Sequence, residues 1–429
     1  MSHPIRRRMP AAAVLAASAL AMSACAAGTA ALEPVASHGA DGHEDDAIAA
    51  EASAPTPRLA MTYDGGIVVI DANTLEIEAD IPLEGFNRLN ALGDERHLAV
   101  STAGGFTVLD VGAWTQAHGD HAHYFTTTPS LTDLTIPAEV PGHVVVHDGL
   151  TTLFDDGTGD VTVLSADEWT HMVEEGHLDV IREYTTAEAH HGVGVATASG
   201  ELLVTLGDED SRDGAMILGD DGRAIAETHE CPGVHGETAF TTAGGEELFM
   251  LGCDDGPIAF HGDHAHKFTA PDAYGRTGNL FSIDGSDVVL GDYKSDPEAG
   301  IGLSEIALID AEAETLAVID PFGGADAQYT WRGLARGEGG EALVLGTDGA
   351  LRVLDPSTGE IVRSVQVVDA WDVPDAWQSP HPALTVLAGM AYVTEPATGE
   401  IHVVDYVGGE VWKSADVGVE MNEIAGIEG

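Results

Sequence analysis

The chain has 429 residues, and its 72 acidic residues outnumber its 17 lysines and arginines so strongly that the formal net charge is -55. Such a composition excludes nucleic acid and anionic lipid headgroups as partners, because phosphate binding requires clustered basic side chains. An acidic surface concentrates cations instead, although it also serves simply to keep an exported protein soluble. With only three cysteines, a disulfide-rich scaffold is excluded as well.

The first 25 residues have the form of an export signal. Three arginines (Arg6–Arg8) precede the apolar run AAAVLAASALAM, which is too short to cross a bilayer. The run ends in Met22-Ser23-Ala24-Cys25, which is similar to a lipobox with Cys25 as the site of lipid attachment. Residues 1–25 are therefore predicted to be a lipoprotein signal peptide, with an ordinary secretory signal as the alternative. Either reading places the protein outside the cytoplasm, and a lipid anchor would be its only link to the membrane.

Residues 26–57 consist largely of Ala, Gly, Ser, Pro and acidic residues. They cannot bury enough apolar surface to fold and are predicted to form a flexible acidic tether. His38 and His43 lie there among four carboxylates, which makes them candidates for weak metal collection. A merely acidic linker is the alternative.

From Leu59 onward, β-rich runs alternate with Gly, Asp and Asn turns, and one short helix is expected near Asp167–Gly176. A strand that ends in an apolar pair, usually followed by Asp, recurs eight times at spacings of 39 to 55 residues; it lies at Val69-Ile70, Val108-Leu109, Val163-Leu164, Ile217-Leu218, Ile258-Ala259-Phe260, Leu308-Ile309, Val353-Leu354 and Val403-Val404. This period, with about four strands per copy, is typical of β-propeller blades. Residues 58–429 are predicted to be an all-β, eight-bladed β-propeller. Seven blades is the alternative, because the fifth copy is degenerate.

The two ends of the propeller are predicted to share a blade. The propeller region begins with three strand-like segments (RLAMTYD, GIVVIDA and LEIEADIPL) and ends with a single one, EMNEIAGIE. Pairing the last segment with the first three completes a four-stranded blade and protects sheet edges that would otherwise be open.

Polar residues collect where each blade should open with a channel-lining strand, near Arg88, His143, His191, His235, Arg276, Arg332 and His381. Because such strands converge on the channel, His190 or His191, His235 and His381 are predicted to share a metal ion, with Glu237 or a nearby aspartate as a fourth ligand. Three imidazoles and an oxygen suit tetrahedral Zn²⁺, and the arginines would keep the ion to one side of the axis. The alternative is that these histidines bind channel water and backbone.

The six-residue sequence HGDHAH occurs twice, each time between the expected third and fourth strands of a blade. In an extended H-x-H segment both imidazoles point to the same side, where one ion can bridge them. The predicted metal ligands are His118, His121 and His123 in the first copy, and His261, His264 and His266 in the second. Passive retention after duplication of a blade is the alternative.

Beyond Cys25, the chain has only Cys231 and Cys253, which an oxidising compartment would allow to form a disulfide. No nucleophile elbow, Walker loop or H-E-x-x-H segment is present, so the sequence predicts a protein that is not an enzyme.

Three segments resemble the AztD-type zinc metallochaperones: His190-His191-Gly192-Val193-Gly194, the stretch from Cys231 to Glu237, and HGDHAH-Tyr-Phe at 118–125. The resemblance extends over nearly the whole propeller. It implies an extracytoplasmic protein that binds Zn²⁺ through these histidines and passes it to the AztC-type solute-binding protein of a zinc ABC importer. The predicted lipid anchor differs from the freely diffusing periplasmic form that the resemblance implies, so the way in which the protein encounters its solute-binding partner stays open.

The sequence therefore predicts a monomeric, extracytoplasmic zinc metallochaperone that is held at the outer face of the cytoplasmic membrane by lipid. Two alternatives remain at this point, a metal-dependent propeller hydrolase and a surface propeller for protein interactions, because propellers host all three roles.

Overall fold

A computed structural model describes residues 49–208 and 210–429. The predicted signal peptide, Cys25 and the tether histidines His38 and His43 lie outside the described residues. Within them are 35 strands, two short 3₁₀ helices at Ala166–Glu168 and Trp331–Gly333, and one α-helix, α1 (Trp169–Glu175), at the expected place. No helix in these residues has the length and apolar character needed to cross a membrane.

The strands of the first half of the chain are β1 (Ala50–Ala52), β2 (Arg58–Tyr63), β3 (Gly65–Asp71), β4 (Ile77–Leu83), β5 (Leu89–Ala91), β6 (His97–Thr102), β7 (Gly105–Asp110), β8 (Ala113–His118), β9 (His121–Thr126), β10 (Ser130–Pro137), β11 (Pro141–His147), β12 (Leu150–Asp155), β13 (Asp160–Ser165), β14 (Val180–Thr185), β15 (Gly194–Ala196), β16 (Leu202–Gly207), β17 (Arg212–Leu218) and β18 (Ala224–Thr228).

The strands of the second half are β19 (His235–Thr241), β20 (Glu247–Gly252), β21 (Ile258–His261), β22 (His264–Lys267), β23 (Leu280–Phe281), β24 (Val288–Tyr293), β25 (Glu305–Asp310), β26 (Thr315–Ile319), β27 (Leu334–Arg336), β28 (Ala342–Leu345), β29 (Ala350–Leu354), β30 (Ile361–Gln366), β31 (Leu384–Leu387), β32 (Met390–Glu395), β33 (Glu400–Asp405), β34 (Glu410–Asp416) and β35 (Met421–Ile427).

These strands confirm the predicted all-β, propeller-type fold. The described residues contain eight four-stranded antiparallel sheets, ordered β35-β2-β3-β4, β5-β6-β7-β10, β11-β12-β13-β14, β15-β16-β17-β18, β19-β20-β21-β22, β23-β24-β25-β26, β27-β28-β29-β30 and β31-β32-β33-β34. The first strand of most sheets contacts the first strand of the next, so the residues that open the sheets are brought together.

The C-terminal strand completes the first sheet. β35 pairs antiparallel with β2, with Leu59 opposite Gly426 and Met61 opposite Ile424. Leu59 of the first sheet also shares a hydrophobic core with Tyr392 and Val403 of the last sheet. Each sheet thus buries both faces against its neighbours, as its Val, Ile and Leu content requires.

One sequence-based boundary needs correction, and the two HGDHAH copies differ in their surroundings. The predicted tether extends to residue 57, but Ala50–Ala52 form strand β1, because they find an edge to pair with on β9. Both HGDHAH copies lie between the third and fourth strands of a four-stranded sheet, but the first lies on a hairpin, β8–β9, that is inserted between β7 and β10 and joins β1 in a separate sheet, whereas the second lies on the β21–β22 hairpin itself. The two copies are therefore not equivalent in their surroundings.

Cys231 and Cys253 are joined by a disulfide. Both are fully buried in the core between the sheets that contain β15 and β19. The bond ties the segment before β19 to the residue after β20, close to the strand that begins with His235.

Replacing Ile427 by alanine tests the packing of β35. Its side chain is 2% exposed, so the substitution removes buried methyl groups and is expected to lower the free energy of unfolding by about 2–5 kcal/mol. Ile181→Ala on β14 is the matched control, because Ile181 is 57% exposed and its loss should change stability by less than about 0.5 kcal/mol. Urea unfolding followed by circular dichroism measures both, and equal effects would contradict the pairing of β35.

Candidate metal centre

Three histidines from three consecutive sheets meet in one cavity. His143 lies on β11, His191 lies just before β15, and His235 is the first residue of β19. One ring nitrogen of each lies within 4.8 Å of the corresponding atoms of the other two. They line a cavity of about 680 Å³ together with Glu237. Imidazole nitrogens gathered in this way are typical ligands of Zn²⁺.

Irregular strand pairing aims two of these side chains. The β11–β12 register shifts between Pro141 and Val144, around His143, and the β19–β20 register shifts between His235 and Glu237. Such bulges redirect side chains and are frequent beside functional sites. The second shift requires glycine, because Gly236 has φ +74 and a Cβ there would approach the Gly278 carbonyl oxygen to 2.3 Å.

The three rings face one another closely. Ring centroids are 5.0 Å apart for His143 and His191, 5.6 Å for His143 and His235, and 5.2 Å for His191 and His235. The Nε2 atoms of His143 and His191 are 3.4 Å apart. Imidazoles at these distances repel one another when protonated, whereas a divalent ion between them makes the arrangement favourable.

The opposite nitrogen of each ring contacts an oxygen acceptor. His143 Nδ1 lies 3.0 Å from Glu237 Oε1, His191 Nδ1 lies 2.5 Å from Asp156 Oδ2, and His235 Nδ1 lies 2.7 Å from the Gly278 carbonyl oxygen. When each Nδ1–H donates to its oxygen, every Nε2 keeps a lone pair for a metal. These partners fix the tautomer and the orientation of the ligands before any ion arrives.

Burial and charge shift the titration of these groups in opposite directions. Burial, followed by the neighbouring His143, lowers the pKa of His235 to about 3. Burial also disfavours charged His143, but the Glu237 carboxylate outweighs it and raises the pKa of His143. In turn, burial acts to raise the pKa of Glu237, and the adjacent histidines reverse this and lower it. His235 is therefore neutral and ready to bind metal at neutral pH.

Carboxylates lie beside two of the three arginines that line the cavity, Arg88 and Arg276, and one of them also pairs with Arg332. Arg276 Nη1 is 2.7 Å from Asp254 Oδ1. Arg332 Nη2 is 2.9 Å from Glu423 Oε1, and Arg88 Nε is 3.7 Å from the other oxygen of the same carboxylate. This pairing reduces the repulsion that a cation would experience beside the histidines.

The structure separates two predicted ligands from this centre. His190 is buried, with Nε2 at 3.0 Å from Thr205 Oγ1 and Nδ1 at 3.0 Å from the Glu188 carbonyl oxygen. His381 is buried too, and its Nδ1 lies 2.7 Å from the Ser379 carbonyl oxygen. Burial and the charge of Arg332 lower the pKa of His381 to about 4. Both side chains are held by local contacts, and neither is a member of the three-histidine group.

Of the predicted set, His191 and His235 are brought together, and His143 takes the third place. Glu237, predicted as a direct ligand, contacts the outer nitrogen of His143 instead. Sequence reasoning identified His143 at a blade opening but did not include it among the ligands, and it missed Asp156 altogether. The signal for His143 was its place in the same series of opening strands as His191 and His235.

The first HGDHAH copy forms a second group on the surface. One ring nitrogen from each of His118, His121 and His123 lies within 4.8 Å of the others. His121 Nε2 and His123 Nε2 are 3.2 Å apart, as expected for an extended H-x-H segment. Glu51 of β1, which the sequence did not single out, places Oε1 at 2.8 Å from His123 Nδ1.

The second copy differs from the first. His261, His264 and His266 line a cavity of about 690 Å³ with Glu312 and Glu314, and His266 Nδ1 is 3.5 Å from Glu314 Oε1. Among residues 49–208 and 210–429, however, these three histidines do not form a group whose ligand atoms meet. The same six letters therefore give a convergent site only on the inserted hairpin.

No protein-family model matches the chain. It is 26% identical over 336 residues to the zinc chaperone AztD of Citrobacter koseri, a match that covers 74% of this chain and 72% of that protein. The crystal structure of Citrobacter koseri AztD matches with a TM-score of 0.73 and 23% identity, over 88% of this chain and 99% of that chain. The structure of apo AztD matches with a TM-score of 0.71 and 22% identity, over 87% and 98%. The chain thus has the fold of AztD and, as its motifs predicted, is similar in sequence to a zinc chaperone.

Proposed function

We propose that this protein is an extracytoplasmic zinc chaperone, which binds Zn²⁺ through His143, His191 and His235 and passes it to the solute-binding protein of a zinc ABC importer. The observation that carries the proposal is that the Nδ1 atoms of all three rings are held by oxygen acceptors, while the three side chains meet within ligand distance and the Nε2 atoms of His143 and His191 lie 3.4 Å apart. The similarity to a zinc chaperone supports it.

Three protein ligands suit a site that must release its ion. Zn²⁺ prefers four ligands, so three imidazoles leave one position for water or for an incoming ligand of the acceptor protein. The side chain of His191 is 42% exposed and that of His143 is 18% exposed, so an acceptor can approach from the His191 side. Transfer can then proceed by exchange of one ligand at a time, without release of free ion.

The remaining sequence features agree with work in the cell envelope. The proposed lipoprotein signal ends at Cys25, and lipid attachment there would hold a monomer at the outer face of the cytoplasmic membrane. A net charge of -55 raises the concentration of divalent cations near the protein. In this proposal, His38 and His43, together with the HGDHAH histidines, collect zinc weakly for the three-histidine centre.

His143→Ala should weaken Zn²⁺ binding by at least about 100-fold. Loss of a residue that only hydrogen-bonds to a metal ligand lowers metal affinity by up to about 100-fold, and loss of the ligand itself should lower it at least as much. Competition with a chromogenic zinc chelator measures the affinity. His381→Gln is the matched control, because the structure places this buried histidine outside the centre. Equal affinities of the two variants would refute the centre as drawn.

Asp156→Asn tests the orienting role of the carboxylate at His191 Nδ1. The asparagine keeps the shape of the side chain but loses the charge, so we expect zinc affinity to fall by about 10- to 100-fold. The same competition assay applies, with the exposed Asp221→Asn as control. An unchanged affinity would mean that this contact does not prepare His191 for metal.

Transfer is tested by mixing the zinc-loaded protein with a metal-free zinc-binding solute-binding protein of the same organism. Zinc should move to the acceptor faster than the spontaneous dissociation measured with excess chelator, because ligand exchange avoids the free ion. Size-exclusion separation followed by metal analysis measures the transfer. A transfer rate no greater than the dissociation rate would argue against a chaperone and leave a zinc-binding protein.

A further inference from the structure

A third group of ligand-type side chains lies on the last sheet. Glu395 is the last residue of β32, and Glu400 and His402 lie on β33. Glu395 pairs with Glu400 across the two strands, and residues two apart on a strand share a face, so all three side chains point the same way. One ligand atom of each lies within 4.8 Å of the others.

His402 has an unsatisfied buried nitrogen that is directed at the carboxylates. Its side chain is only 8% exposed, and its Nδ1 lies 2.8 Å from Ser414 Oγ. Its Nε2 is buried and has no hydrogen-bond partner, although it is 3.5 Å from Glu395 Oε2. A buried polar atom without a partner is uncommon and costly, so it indicates a group that is satisfied in another way.

The position of the proton on the His402 ring determines whether Nε2 and the two carboxylates attract or repel one another. When Nδ1–H donates to Ser414 Oγ, Nε2 carries a lone pair and faces negatively charged oxygens in a largely dry place. Two carboxylates and a lone pair repel one another there, and either a proton on Nε2 or a bound cation removes the repulsion. A cation satisfies all three side chains at once.

The surroundings prepare Glu395 to be a ligand. Its Oε1 accepts a hydrogen bond from the Asp369 backbone N–H at 2.8 Å, and its Oε2 accepts one from Thr398 Oγ1 at 2.8 Å. These bonds fix the carboxylate beside His402. Asp369 follows β30 of the preceding sheet, so an ion held by Glu395 would also strengthen the contact between the last two sheets.

We propose that Glu395, Glu400 and His402 form a separate site for a divalent transition-metal ion of the Zn²⁺ class, which stabilises the fold and is not exchanged with a partner. The imidazole ligand disfavours Ca²⁺ and Mg²⁺, which prefer oxygen, and suits Zn²⁺ with two carboxylates. Burial of Glu395 and His402 slows access of chelators and acceptor proteins. The site is independent of the chaperone centre.

The test uses the full mature protein with His143, His191, His235, His121 and His123 replaced by alanine, loaded with Zn²⁺ and freed of excess by gel filtration. We expect this background to retain one more equivalent of zinc than the same protein with the further substitution Glu400→Gln or His402→Gln. Glu410→Gln is the matched control, because Glu410 is exposed on the same sheet. Plasma mass spectrometry measures the metal, and zinc should raise the thermal unfolding midpoint of the background but not of the Glu400→Gln variant.

The outcomes separate clearly. Loss of the retained equivalent in both ligand variants, with native circular dichroism and with the control unaffected, supports the site. A background that retains no zinc, or retention that both ligand variants leave unchanged, overturns it and assigns a proton to His402 instead. If one ligand variant fails to fold, the other variant decides, together with X-ray absorption spectroscopy of the zinc in the background protein. A spectrum that does not fit one imidazole nitrogen together with oxygen ligands overturns the site. Since the three histidines of the chaperone centre are absent throughout, neither result bears on the proposed function.

Discussion

β35 and β2 come from opposite ends of the described chain, and their antiparallel pairing brings the first and last sheets into one core, where Leu59 packs in the same cluster as Tyr392. The other sheets pack side by side between them, so the strands that open the sheets have little freedom to move relative to one another. The same strand supplies Glu423, whose carboxylate pairs with Arg332 and lies beside Arg88. One strand pairing thus supports both the position and the charge balance of the cavity.

The three-histidine centre illustrates how a rigid scaffold supplies affinity. His143, His191 and His235 each come from or beside the opening strand of a different sheet, so their approach does not depend on the folding of a single loop. Outer oxygens fix the rings, and burial keeps His235 uncharged. Little reorganisation is then needed when an ion binds, which is the general benefit of preorganised ligands.

The sequence was sufficient for the architecture but only partly for the site. The strand repeat predicted the sheets and the pairing of the last segment with the first, because hydrophobic alternation and turn residues act locally. The ligand set depends on rotation and distance, which local patterns do not encode. His190 and His191 lie in the irregular segment before β15, where a threonine hydroxyl and a backbone carbonyl oxygen hold His190, so only His191 joins the centre. His381 opens a sheet that does not adjoin those of His191 and His235, and its Nδ1 is held by a backbone carbonyl oxygen, so it lies outside the group.

The two copies of HGDHAH show how far an identical sequence can diverge once its surroundings differ. On the inserted hairpin, β1 pairs with β9 and brings Glu51 to His123, and the three histidines converge. On β21–β22 the facing carboxylates come from a neighbouring sheet, and the histidines do not converge. Two of the three hairpin histidines are exposed, against one of the three in the cavity, where His191 is the exposed one. Water competes more effectively for ligands at an exposed site, so we expect the hairpin group to bind an ion more weakly than the cavity, where the outer nitrogens of all three rings are held by oxygens.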